Sequence, residues 1–244
     1  MEKKIEVVLF DLDGTLLPMD QDVFVQTYFG LLAKNLSNYG YEPKKLIESI
    51  WLGTKSMIMN DGKQTNEKVF WNTMSNIYGP NVINDESKFE SFYINDFPLV
   101  KNSCGFDKRA NEVIKFLKSK GYRLILATNP IFPRIATEQR IKWAGLDIND
   151  FEFITTYENS SFSKPNLKYY LEILEKNYCK VENCLMVGND VAEDMIVNKL
   201  GVDVFLLTRD LINKNNEDIN NYVKKLAFPQ SFPHFTVNKR CGKV

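Results

Sequence analysis

Histidine is nearly absent from this chain: 244 residues contain one, His234. Cysteine is sparse as well. Cys104, Cys179, Cys184 and Cys241 include no Cys-x-x-Cys pair, and one histidine cannot complete a zinc site of common type. Charge of one sign is missing, since 31 basic and 31 acidic residues cancel. That balance offers no footprint for a nucleic acid polymer or an anionic membrane surface. No apolar run approaches the ~20 residues of a membrane span. Met1-Glu2-Lys3-Lys4 leads straight into a strand-like run, so no targeting segment is expected, and the reading is a cytoplasmic protein with reduced thiols. Aromatic residues, in contrast, are plentiful at 13%, as a well-packed globule requires. The length accommodates one domain of ordinary size and a smaller one.

The most informative stretch is Val7-Val8-Leu9-Phe10-Asp11-Leu12-Asp13-Gly14-Thr15-Leu16. A short apolar run rich in β-branched residues reads as a buried strand. Two carboxylates, two residues apart, stand at its C-terminal end, and Gly14 allows a sharp turn away. In extended backbone, residues i and i+2 share a side, so Asp11 and Asp13 are expected to face one pocket at the carboxyl edge of a sheet. Two acids that close repel unless a cation or a shared proton lies between them. The pair suits a Mg²⁺-dependent nucleophile and an acid/base acting on phosphate. Taken alone, Asp-x-Asp-Gly also occurs in turns and calcium loops.

Later segments have the same grammar. Arg123-Leu124-Ile125-Leu126-Ala127, Glu152-Phe153-Ile154-Thr155, Cys184-Leu185-Met186-Val187 and Val202-Asp203-Val204-Phe205-Leu206 read as strands. Helical patterns at 110–117, 135–144, 167–178 and 192–200 alternate with them, three of these stopped by glycine. The alternation predicts an α/β fold, a Rossmann-like three-layer α/β/α core with a parallel sheet. Residues 19–100 differ. The windows 23–36, 44–52, 66–78 and 87–94 carry helical periodicity with no strand between them, which predicts an inserted all-helical cap domain. The core is then 1–18 with 101–244. Phe232 and Phe235 in the tail are expected to pack on it.

Four segments together resemble the motifs of the haloacid dehalogenase (HAD) superfamily: the decapeptide around Asp11, Thr128-Asn129-Pro130 after the second strand, Ser163-Lys164-Pro165, and Gly188-Asn189-Asp190-Val191-Ala192-Glu193-Asp194. The last two gaps between motifs each fit a helix plus a strand, and the long first gap matches the cap. The resemblance implies that Asp11 is the nucleophile and Asp13 the general acid/base. Thr128, Asn129 and Lys164 then hold the phosphate. Mg²⁺ rests on Asp11, the backbone carbonyl of Asp13, and Asp190, while Asp194 and Asn189 stand behind these ligands. Thr15 is expected to fix the turn and the Asp13 side chain.

Many family members carry Asp where this chain has Asn189, so Asn189 is itself a candidate to face the metal. Thr-Asn-Pro also makes a purely structural turn, and an acidic helix start also occurs as a solvated one. The expected reaction is hydrolysis of a small soluble phosphate ester through an aspartyl-phosphate. A phosphomutase and a catalytically silent phosphate-binding protein are the alternatives. No nucleic acid polymer or membrane partner is expected, and the chain is read as a monomer or homodimer. Candidate substrate contacts are Met19, Asp20, Trp51, Lys55 and Arg134.

Overall fold

Five short strands carry the apolar segments of the alternating region: β1 (Val7–Phe10), β2 (Arg123–Leu126), β3 (Phe153–Ile154), β4 (Cys184–Gly188) and β5 (Asp203–Leu206). The structure is a computed structural model and describes residues 5–223, so His234, Cys241 and the tail packing expected of Phe232 and Phe235 lie outside the described residues. The strands form one sheet in the order β3-β2-β1-β4-β5, all parallel. β1 is central, with Phe10 opposite Leu126 on one side and Val187 on the other. Strand order reverses between β1 and β4, and such a switch point opens a crevice at the carboxyl ends.

Alternation along the strands supplies two cores. Val8, Phe10, Leu126 and Val187 join one cluster, covered by α5 (Lys108–Ser119) and α6 (Arg134–Trp143). Val7, Leu9, Ile125 and Met186 join the other, covered by α7 (Leu167–Lys176) and the 3₁₀ turn Met195–Leu200. The three-layer α/β/α core expected from the sequence is what forms.

Between β1 and α5 the chain makes four α-helices, two 3₁₀ segments (Pro80–Asp85 and Phe97–Ser103) and no regular strand: α1 (Gln21–Ser37), α2 (Pro43–Ile58), α3 (Asn66–Tyr78) and α4 (Glu86–Asn95). Their apolar side chains, among them Tyr28, Leu32, Trp71 and Phe92, are continuous with the first core cluster. α2 runs six residues past the expected 44–52 window because Gly53 is not a stop. A Cβ at Gly53 would lie 2.5 Å from the Phe70 ring, so this glycine lets α2 approach α3. The α3 N-terminus is pinned to the sheet side. Asn66 is fully buried and donates to the Pro130 carbonyl and to Ser163 Oγ, each at 3.0 Å.

The helix expected over 192–200 is instead a turn followed by the short 3₁₀ segment. Asp190 Oδ1 accepts from the Ala192 and Glu193 amides, and Asp194 Oδ2 accepts from those of Asn189 and Asp190. Side chains thus satisfy donors around the turn, and the chain holds a shape other than a regular helix.

Candidate active site

Asp11 leaves the end of β1, and Asp13 follows after the buried Leu12. Gly14 then adopts φ +82°, and a Cβ there would collide with the Asn189 amide. Glycine is therefore required twice over, by conformation and by the approach of the β4 loop. Thr128 follows β2, and Asn189 and Asp190 follow β4. Asp11, Asp13, Thr128, Asn189 and Asp190 line a single cavity of about 240 Å³ at the switch point.

Lys164 makes the central contacts. Its Nζ lies 2.8 Å from Asp11 Oδ1 and 2.6 Å from Asp194 Oδ1, and the side chain is 1% exposed. Burial alone would lower its pKa, but Asp11 and Asp194 more than reverse that and hold it well above the usual lysine range. Asp194 sits so close under the strand end that a Cβ at Gly188 would strike its carboxylate. Burial raises the Asp194 pKa, against the opposing pull of Lys164. Thr15 Oγ1 lies 3.1 Å from Asp11 Oδ2 and 2.8 Å from Asn189 Oδ1, its one proton shared between them. Thr15 therefore steadies Asp11 and Asn189, where the sequence pointed to Asp13. Asn189 Nδ2 donates to the Asp210 carbonyl at 2.6 Å.

Asp13 is held by a residue the sequence reading missed. Arg140, on α6 and 1% exposed, donates Nη1 to Asp13 Oδ2, while Asp13 Oδ1 is buried without a partner. Burial raises the Asp13 pKa; Arg140 opposes this and Asp11 adds to it. The signal was present, since Arg140 falls on the buried face of α6 with Ala136, Thr137 and Ile141. Tyr169 and Tyr170 were missed too. Tyr169 Oη and Thr155 Oγ1 donate to the Thr128 carbonyl at 2.8 and 2.6 Å, and Tyr170 Oη donates to the Glu193 carbonyl at 2.7 Å. A buried tyrosine needs a hydroxyl partner, so adjacent tyrosines on a core-facing helix were the available clue.

Asn129 lines the cavity and donates Nδ2 to Glu193 Oε2 at 3.1 Å. Of the substrate contacts considered, Met19 and Trp51 line the cavity. Asp20 instead caps α1, Lys55 is exposed outside the lining, and Arg134 pairs with Glu138 at 2.6 Å.

Asp11, Asp13, Asp190, Glu193 and Asp194 all line the cavity, and Lys164 and Arg140 are the cations that bond to them. A phosphate dianion entering this acidic excess requires more positive charge. Among the described residues no group of three His, Cys, Asp or Glu side chains is arranged to hold a metal ion. An all-protein cage is therefore not what they build. Magnesium asks for less, one or two carboxylates with waters and phosphate completing its octahedron, and hard oxygens from Asp11 and Asp190 fit that demand.

A family model described as haloacid dehalogenase-like hydrolase matches residues 5–213. The chain belongs to that family. A glyceraldehyde 3-phosphate phosphatase from Methanothermobacter thermautotrophicus is 34% identical over 112 residues, which is 42% of this chain and 48% of that protein. The match thus spans about half the length of this curated relative. Among solved structures, a HAD phosphatase from Thermococcus onnurineus is 18% identical with a TM-score of 0.53, covering 90% of this chain and 92% of that one. A HAD family enzyme from Bacteroides thetaiotaomicron, in complex with magnesium and inorganic phosphate, is 14% identical with a TM-score of 0.52, covering 89% and 98%. At such identities the two structures attest the HAD fold alone. Among the described residues, no helix is long and apolar enough to cross a membrane.

Proposed function

We propose that this HAD-family protein is a Mg²⁺-dependent phosphomonoester hydrolase working through an aspartyl-phosphate on Asp11. The observation that carries the reading is the pairing within one cavity of a lysine-braced carboxylate, Asp11, and a desolvated one, Asp13, with a raised pKa. Asp11, the Asp13 carbonyl and Asp190 would hold Mg²⁺, with Asn189 and Asp194 behind, and the ion would supply the charge that lets a carboxylate approach an anionic phosphoryl group.

In this mechanism an Asp11 oxygen attacks phosphorus in line with the leaving oxygen. As the phosphorus–oxygen ester bond breaks, Asp13 gives its proton to the departing alcohol. Asp13, now a carboxylate, takes a proton from a water molecule, whose oxygen attacks the phosphorus of the aspartyl-phosphate. Inorganic phosphate leaves and Asp11 is regenerated. Lys164 holds Asp11 and the phosphoryl oxygens as a fixed point charge, and the Thr128 hydroxyl and Asn129 amide donate to the remaining oxygens. The helices over 19–100 act as the cap domain that closes the site to bulk water.

The test is phosphate release from a panel of small phosphomonoesters, with Mg²⁺ and with EDTA, beside Asp11→Asn. Release that requires both Mg²⁺ and Asp11 supports the reading. Release unaffected by Asp11→Asn, or no release from any ester, overturns it.

A further inference from the structure

Away from the carboxylates the cavity changes character. Its wall is aromatic, built from Phe24, Tyr28 and Phe29 of α1, Phe70 and Trp71 of α3, and Phe132 ahead of α6. The Tyr28 and Tyr93 hydroxyls engage each other at 2.9 Å, and Trp71 Nε1 is a buried donor on this wall without a partner among the described residues. Among the described lining residues the one basic side chain is Lys214, which is exposed. Lys164 is occupied by Asp11 and Asp194, and Arg140 by Asp13. The volume of about 240 Å³ compares with ~150 Å³ for a cavity that takes up benzene. Once a phosphoryl group is seated, the remaining space takes one ring or a short apolar chain, and a nucleoside is too large.

We propose that the ester cleaved here has a neutral leaving alcohol carrying a single apolar group, an aromatic ring in preference, and that esters bearing a second anion are disfavoured. This rests on the phosphatase reading and names its substrate class. A ring meets the edges and faces of Phe and Trp side chains, where aromatic pairs add to area burial. A carboxylate on the leaving group would shed its water beside Asp13, Asp190 and Glu193 with no free buried cation to receive it. Polyol hydroxyls would likewise meet ring carbons over most of this wall, with Trp71 Nε1 a lone donor among them.

Benzyl phosphate, 2-phosphoglycolate and glycerol 1-phosphate are compared at equal Mg²⁺. Benzyl alcohol is no better a leaving group than an ordinary alkyl alcohol of this kind, so a preference reports binding and not leaving-group chemistry. The expected kcat/KM for benzyl phosphate exceeds both others by about ten-fold or more, mostly through KM. Equal or better turnover of either polar ester overturns the inference and leaves the phosphatase reading standing.

If no ester is cleaved, that reading fails, and binding decides the inference separately. Trp51 and Trp71 line the cavity, so their fluorescence reports occupancy in Asp11→Asn. Benzyl phosphate is expected to bind this variant about ten-fold more tightly than 2-phosphoglycolate. Equal affinity, reversed order or no binding of benzyl phosphate overturns it. Trp51 is half exposed, at 50%, and its ring centroid lies 5.2 Å from that of Phe29, so Trp51→Ala tests the wall with little risk to folding. It is expected to raise KM for benzyl phosphate by about five-fold and leave that for glycerol 1-phosphate within about two-fold. An equal effect on both esters, or none, overturns the inference.

Discussion

A buried guanidinium aimed at a largely desolvated carboxylate is costly to break, because the survivor loses its counter-charge. Arg140→Met should therefore lower stability by about 1–2 kcal/mol in urea unfolding, less than for a fully buried pair because Asp13, 22% exposed, can take up a proton once its counter-charge is gone. In the proposed mechanism Asp13 is then no longer steered toward the leaving oxygen, and kcat should also fall by about 10²-fold while KM stays within about two-fold. A KM effect without a kcat effect would place Arg140 among the substrate contacts instead. The motif residues Asp11, Asp13, Lys164 and Asp190 were legible because each stands at a strand end or beside a turn, at a spacing few other chemistries require. Arg140 was not, since a lone arginine in a helix is one of many, and its importance arises only when the fold brings α6 to the turn after β1. Tyr169 and Tyr170 were invisible for the same reason, as their partners are main-chain carbonyls that only the fold brings near.

Glycine and asparagine decide how the helices over 19–100 sit on one another and on the sheet. Gly53→Ala gains up to about 1 kcal/mol of helix propensity, but the new methyl strikes the Phe70 ring, and overpacking costs about 1–3 kcal/mol. The clash should win, so thermal unfolding is expected earlier for Gly53→Ala. In a Phe70→Leu background the same substitution should become neutral or stabilising, and a persistent loss would argue against the clash. Asn66→Ala strips partners from the Pro130 carbonyl, Ser163 Oγ and Asn60 Nδ2 at once. A loss of about 2 kcal/mol is expected by denaturant titration. These contacts also explain what could be read of the elements. Periodicity located α1, α3 and α4 to within two residues, because amphipathic stripes survive in any helix that packs. It stopped α2 early at Gly53 and drew a helix through 192–200, since neither a close approach nor a carboxylate-capped turn leaves a periodic trace.

At the scale of the molecule, loops from opposite ends of the chain are tied together around one carboxylate. Asp107 caps α5 by accepting from the Arg109 amide, and Arg209, beyond β5, reaches it with Nη1 at 2.6 Å. Arg209 also donates to the Thr15 carbonyl at 3.3 Å, and the next residue, Asp210, offers its carbonyl to Asn189. The clamp thus braces the turns that carry Asp11 and Asn189. Hydrogen bonding from Arg109, against a smaller opposing effect of burial and with further help from both guanidinium charges, lowers the Asp107 pKa to about 2. A carboxylate depressed in the folded state stabilises the protein above its unfolded pKa, near 3.9, and that contribution disappears as pH falls through the folded value. Asp107→Asn isolates the charge, because asparagine still caps a helix. Solvent around the two arginines screens the pair, so wild type is expected to exceed the variant by roughly 1 kcal/mol at pH 6. The difference should hold from pH 6 to about 5, shrink between about 4 and 2, and narrow in 1 M NaCl at pH 6. Urea titrations across that pH range check it. A gap undiminished at pH 2 would mean that Asp107 acts through shape and hydrogen bonding, and that charge does not hold these loops together.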